Sequence, residues 1–350
     1  MERFPDEQEI AGAISCYSGD IYDMNDVMTF LSINDILKPF TTRMIAWLVT
    51  LNLVRPDRSM WIPDLVQLSK YYDRCLQRYF SDCYNDPLSS LNPEIAREID
   101  SSVTEGFEFF LRFATCSGID EEYYKKDGML RVKRIFATIC KDSTKYVYKK
   151  KYQYIGYITY LISLSYTQKG GLPLCFAESI AMHLTKSITG IIAYYENFDN
   201  ANLTDDHTSE LKRIMNRFAN KVFSQLKNAN IDLIEFTRPW ERCLFVEQHA
   251  PLNLLIIWDN LFFHSHEFRK YMRYLIVAHF RQMGEMNVDF KSEESINEMM
   301  WDASLILEDT DKLIHDDKVS ETEIFYQIFC PCYPFMKFFQ GRTSVFGNRK

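Results

Sequence analysis

Few stretches of this 350-residue sequence place chemically capable side chains at short spacing. His264-Ser265-His266-Glu267 offers two imidazoles and a carboxylate, ingredients of a zinc shell. No cysteine pair or carboxylate cluster is placed to complete that shell, so the run reads as the start of a helix. Cys330-Pro331-Cys332 lacks the two-residue gap of zinc and thiol-exchange motifs, and no partner pair exists. Gly170-Gly171-Leu172-Pro173 is not followed by Gly-Lys-Ser/Thr, so it is no phosphate cradle. Lys149-Lys150-Lys151 reads first as the solvated basic end of a helix, the usual fate of a charge run. No Ser-His-Asp, paired-carboxylate or glycine-rich signature stands out. The residues therefore call for no metal and no cofactor.

The elements that would position these groups are helical. Hydrophobic residues make up 47% of the chain, enough for a large core, and only 12 Gly and 11 Pro argue against a loop-rich β fold. Apolar positions recur at helical spacing in Leu65, Leu68, Tyr72, Cys75, Leu76 and Tyr79. Leu211 to Leu226 reads as one amphipathic helix with Leu211, Ile214, Met215, Phe218, Val222 and Phe223 on its stripe. Asn92-Pro93 starts a helix, Thr41 or Thr42 caps another running from Arg43 to Asn52, and Ser320 to Glu323 forms a capping box for a last one. A short helix is expected near Ile296 to Leu307, and residues 196 to 208 read as a polar connector. Tyr152 to Tyr166 is rich in β-branched and aromatic residues, but a lone strand among helices has nothing to pair with, so it reads as a buried helix. Phe268 to Arg281 is basic and amphipathic; its apolar face packs inward, with peripheral contact to a membrane surface as the other use.

Net charge is −8, which disfavours nucleic acid as a partner. Nine scattered cysteines, an odd number, are free-thiol usage of a reducing compartment such as the cytoplasm. The first ten residues are acidic and carry no apolar leader, and no run of 18 apolar residues suggests a membrane span.

Residues Trp240 to Phe263 read WERCLFVEQHAPLNLLIIWDNLFF and look like the stretch the rest is built around. Pro251 suits a first helical turn, and the run after it is apolar on nearly every side. The spacing of Trp240, Leu244-Phe245, Pro251-Leu252 and Trp258-Asp259 resembles the TBC domain, the GTPase-activating fold that acts on Rab GTPases. Arg43 and Trp47, at i and i+4, resemble that family's opening Arg-x-x-x-Trp. The resemblance implies an all-α, bilobed fold of around fifteen helices. It covers roughly residues 35 to 310, with 1 to 34 as an N-terminal edge segment and 311 to 350 as a C-terminal helix and tail whose apolar Phe335, Met336, Phe338 and Phe339 dock on the body or form a partner site.

The same resemblance implies a chemistry and shows where this chain departs from it. Active members carry Ile-x-x-Asp-x-x-Arg, whose arginine offsets charge building on the transferred phosphoryl group. Here Ile99 matches, Ser102 stands for the aspartate, and Glu105 stands for the finger. The family's Tyr-x-Gln-Gly, whose glutamine orients the attacking water, falls on Tyr148-Lys149-Lys150-Lys151. A shifted frame brings Gln153 or Gly156 closer, but neither frame reads Tyr-x-Gln-Gly. If the fold is shared, Glu105 and Lys150 lie near each other and pair across the groove. The implied protein is a catalytically degenerate Rab regulator, not an enzyme. It would bind a Rab-type GTPase through Arg43, Ser102, Glu105, Lys149, Lys150, Lys151 and Gln153, or act as a cytoplasmic scaffold in vesicle traffic, with peripheral contact to endomembranes allowed. Trp47, Trp240, Pro251, Trp258 and Asp259 would be the structural motif. The alternatives are an active GTPase activator with a non-standard arginine, and a structural subunit of a larger assembly.

Overall fold

A computed structural model describes residues 2–17, 19, 21–198, 204–290 and 299–329. Among these residues there are fifteen α-helices and no strand. In chain order they are α1 (Glu7–Tyr17), α2 (Met24–Ser32), α3 (Phe40–Thr50), α4 (Trp61–Phe80), α5 (Pro93–Glu105), α6 (Phe107–Thr115), α7 (Gly128–Asp142) and α8 (Tyr152–Lys169). There follow α9 (Leu174–Phe198), α10 (Thr204–Phe218), α11 (Asn220–Asn228), α12 (Leu233–Cys243), α13 (Pro251–Phe263), α14 (Phe268–Glu285) and α15 (Ala303–Phe329).

The residues that look strand-like, 152 to 166, form the most deeply buried helix. From Tyr152 to Thr167 only Tyr154 reaches solvent. Its hydroxyls survive burial by bonding back one turn: Thr159 to the Ile155 carbonyl, Ser163 to that of Thr159, and Thr167 to that of Ser163. Thr159 Oγ1 also meets Thr185 Oγ1 at 2.7 Å, tying α8 to α9. Gly156 is needed where α7 crosses, because a Cβ there would lie 2.6 Å from the Phe136 ring.

Two groups of helices pack around this axis. α1, α3, α5, α6, α7, α9 and α12 gather about α8, with α4 packed on α9, α1 and α7, while α10, α11 and α15 pack on α14. α13 joins the groups by contacting α2 and α3 on one side and α14 and α15 on the other. It is buried from Leu254 to Phe262, as its apolar run requires. The stretch after Trp240 is thus the joint of the molecule, and α8 shares the centre with it.

Several local expectations change. Thr41 and Thr42 lie inside α3, which Pro39 starts with no side-chain cap. The expected helix from 211 to 226 breaks at Ala219, so α10 and α11 each turn an apolar stripe inward. The helix expected to start at 296 starts at Ala303, residues 291–298 being outside the described set, and it continues to Phe329. Ser320 to Glu323 lies within it and begins nothing, and the boundary expected after residue 310 falls inside the same helix. Its anchor is Asp317, bonded by Arg213, Arg217 and Tyr274, partners from α10 and α14 that no local pattern reveals. The polar connector expected over 196 to 208 shrinks, since α9 runs to Phe198 and α10 starts at Thr204. The edge segment is part of the body: Ile10, Val27 and Leu31 belong to the core. Cys330-Pro331-Cys332 and the tail aromatics lie outside the described residues.

Candidate functional site

Asn92 accepts a bond from the Glu94 N–H, and Pro93 occupies the first turn, so α5 starts where the sequence says. Ile99, Ser102 and Val103 face inward, which leaves Glu105 on the last turn, exposed. A carboxylate at a helix C-terminus faces the negative end of the dipole and benefits from a nearby cation. That cation is Lys150, whose Nζ lies 3.1 Å from Glu105 Oε2. Both side chains are more than half exposed, at 65% for Lys150 and 53% for Glu105, so the pair adds little to stability.

The approach to α8 explains the rest of the basic run. Lys151 has φ 85° and ψ −14°, a left-handed conformation that glycine adopts freely and lysine does not. This is the slot in which the ungapped reading expects glycine, so backbone geometry supports that frame. Each lysine then meets a different acid: Lys149 pairs with Glu196 of α9, Lys150 with Glu105, and Lys151 with Glu247 at 2.6 Å. The same Glu196 takes Arg242 Nε at 2.6 Å. The run is a clasp between elements as well as a charged lip.

Three of the expected contact residues are internal. Arg43 is fully buried, with Nε 2.9 Å from Asp259 Oδ2, so it is corrected from a surface contact to a core anchor. Ser102 is buried against the Tyr148 hydroxyl. Gln153 is buried, and its Oε1 accepts the Lys151 N–H at 2.6 Å.

The nearby arginines differ. Arg97 lies eight positions before Glu105, about 12 Å along the helix, and its Nε donates back to the Pro93 carbonyl at 3.2 Å. Arg112 of α6 is exposed. The Tyr154 hydroxyl is held above the usual tyrosine range by burial first, then by Glu247, Cys243 and Glu105, while Arg112 opposes them.

The aromatic motif is built on Asp259. Its Oδ1 accepts Trp47 Nε1 at 2.9 Å, and its Oδ2 takes Arg43 and Lys38, the latter at 2.7 Å. Trp258 Nε1 donates to the Leu244 carbonyl at 2.9 Å. Leu244 and Phe245 both have positive φ, 51° and 62°, a tight reversal closed by Phe245 N–H to the Trp240 carbonyl. The spacing from Trp240 through Leu244-Phe245 to Trp258 is therefore one interlocked turn, and Pro251 opens α13 as expected.

The sequence of the Rab-GTPase-TBC domain family matches residues 41–284, more than half of the chain. The chain belongs to the TBC domain family. The described residues also superpose on the Ypt/Rab-GAP domain of Gyp1p, seen in a crystal structure, with a TM-score of 0.61 and 12% identity over 90% of this chain and 100% of that one. At that identity the likeness speaks for fold alone. No curated protein matches the sequence. The all-α TBC fold expected from the motif is thus the fold observed, and the family is one of Rab GTPase regulators.

A buried cluster of the TBC domain was not foreseen. Glu178 of α9 takes Arg131 at 2.9 Å, Arg134 and the Tyr72 hydroxyl, joining α4, α7 and α9. Arg134 and Glu178 are 44 positions apart, and periodicity gives no signal for such a pairing. No group of three His, Cys, Asp or Glu able to hold a metal occurs among the described residues. Nor is any helix among them long and apolar enough to cross a membrane.

Proposed function

We propose that this TBC domain binds a Rab-type GTPase across the groove between α5 and the start of α8 without supplying either catalytic finger. The observation that carries the reading is the Lys150–Glu105 pair at 3.1 Å. The slots for a cation and a carboxamide hold a carboxylate and an ammonium, which neutralise each other. Glu105 would face phosphate oxygens with like charge, and the one glutamine nearby, Gln153, is committed to the backbone. Because the pair is exposed and weak, an incoming GTPase can separate it at small cost. Lys149, Lys150 and Lys151 then form a basic contact lip, and the protein serves as a GTPase-binding scaffold in vesicle traffic rather than as an enzyme.

Single-turnover GTP hydrolysis with a panel of Rab GTPases tests this. The expected result is capture of a GTP-locked Rab with no acceleration beyond about tenfold, far below an arginine-finger effect. A larger acceleration sinks the reading, and absence of any capture favours a structural subunit of a larger assembly. The double variant Glu105→Arg/Lys150→Gln should gain hydrolysis if the groove still seats the nucleotide. The exposure of Arg112 on α6, within electrostatic reach of Tyr154, favours a second reading, an activator with a displaced arginine. In that case the wild type accelerates hydrolysis and Arg112→Ala abolishes the effect.

A further inference from the structure

Away from that groove, α9, α10, α12 and α14 line a cleft of about 550 Å³, mouth included. Part of its wall is apolar, made by Ile192, Ile234, Phe268 and Met272, and the Phe268 ring stacks on Tyr195 at 5.9 Å and 7°. Two acids also line it, Glu196 and Glu241. Glu196 is satisfied by Lys149 and Arg242. Glu241 is not held in that way: the hydrogen bond it accepts, from Thr237 Oγ1, is long at 3.4 Å.

His207 gives the second, independent sign. Its side chain is only 4% exposed and lines this cleft, yet neither ring nitrogen has a hydrogen-bond partner among the described residues. Its Nε2 is 3.5 Å from Glu241 Oε1, without the geometry of a hydrogen bond. Buried polar groups normally find partners. An unmet imidazole and an under-supplied carboxylate, side by side at one cleft, mark the place of a ligand atom that serves both.

We infer that this cleft binds a small neutral amphiphile, a phenol or an alcohol, through its hydroxyl group. A hydroxyl both donates and accepts, which is what a carboxylate beside an imidazole N–H requires. Its O–H donates to Glu241, and its oxygen accepts from the His207 ring. Its apolar body covers Ile234, Phe268 and Met272 and removes them from water. Other head groups meet an obstacle here. An anion would be set beside the Glu241 carboxylate, and an ammonium would share the cleft with Arg238 and Arg242. A hydrocarbon would leave His207 and Glu241 as unmet as before, and water alone would leave the apolar wall wet.

The full chain would be titrated by calorimetry with phenol and with cyclohexanol, against toluene, benzoate and benzylamine as controls, while ring signals of His207 are followed by NMR. Saturable binding of phenol or cyclohexanol with movement of the His207 signals supports the site. The three controls should bind weaker by roughly tenfold, the effect of losing one hydrogen bond. His207→Phe keeps an apolar ring and removes both nitrogens. It should lower phenol affinity by a similar factor and leave that of toluene unchanged. It should melt no lower than the wild type, since the imidazole has no hydrogen bond to lose. Ile234→Trp, which fills the cleft, should weaken phenol as well. No saturable binding of phenol or cyclohexanol, any control binding as tightly as phenol, or undiminished phenol affinity in both variants would overturn the assignment. None of these readouts involves a GTPase, so their failure leaves the reading of the Glu105–Lys150 groove intact.

Discussion

Replacing Asp259 by asparagine tests the centre of the TBC motif. One carboxylate, fully buried, answers two buried cations, Arg43 and Lys38, and the Trp47 N–H. Asparagine keeps the volume but turns an amide N–H₂ toward at least one group that can only donate. Leaving a buried charge without its partner costs about 3–5 kcal/mol, against a total stability of about 5–15 kcal/mol. Lys38→Met should cost much less, because Asp259 keeps Arg43 and Trp47, and the main loss is the Lys38 bonds to the Phe30 and Leu31 carbonyls at the end of α2. The double variant should recover part of the Asp259→Asn loss, since one of the stranded cations is gone. The pH dependence is specific. Burial holds the Lys38 ammonium below the ordinary lysine range, and Asp259 opposes that shift. Without Asp259 the folded state releases this proton more readily still, while the unfolded chain keeps it. The unfolded state then binds more protons, so stability rises with pH up to the ordinary lysine range. Urea unfolding at pH 7 and pH 9 should show the gap between Asp259→Asn and wild type narrowing at the higher pH. A gap under about 1 kcal/mol at pH 7, or one that stays constant with pH, would refute the reasoning.

Two further outcomes follow from the same geometry. Lys151→Gly and Lys151→Ala both lose the Glu247 contact, but only glycine relaxes the φ of 85°, so the glycine variant should be the more stable by about 1 kcal/mol in chemical denaturation. The buried pair His249 and His279 should make the protein acid-labile. His279 Nδ1 faces the Leu275 carbonyl at 2.6 Å and must donate, so its Nε2 accepts from His249 Nε2 at 2.9 Å, and both rings stay neutral among Trp240, Phe245 and Trp301. Burial lowers His279 to about 4, and burial together with the neighbouring His279 holds His249 well below the ordinary histidine range. Their contribution is complete above the ordinary histidine range and is lost as pH falls below it, the loss at pH 5 being about 2 kcal/mol for His279. Urea midpoints at pH 7 and 5 read it, and His279→Phe should flatten the difference.

The motif residues were legible because each carries its own local reason. Pro251 opens a helix by its fixed φ, Asn92 caps one by its side chain, and the apolar run after Pro251 has no surface to face. The expected departure from the family's catalytic pattern rests on residue type alone: Glu105 and Lys150 stand where the resemblance implies an arginine and a glutamine. Arg43 shows the limit. Its type and position suggested contact with a partner, and only the fold reveals that Asp259, 216 residues later, turns it inward. The break at Ala219 and the continuous α15 were decided in the same way, by what packs against them rather than by local preference. Periodicity says which face of a helix is apolar, and motif spacing says which family it resembles. Partners distant along the chain are chosen by three-dimensional packing, where burial of one charge demands another. That is why the acids meeting Lys149 and Lys151, the Glu178 cluster and the cleft around His207 belong to the tertiary structure alone.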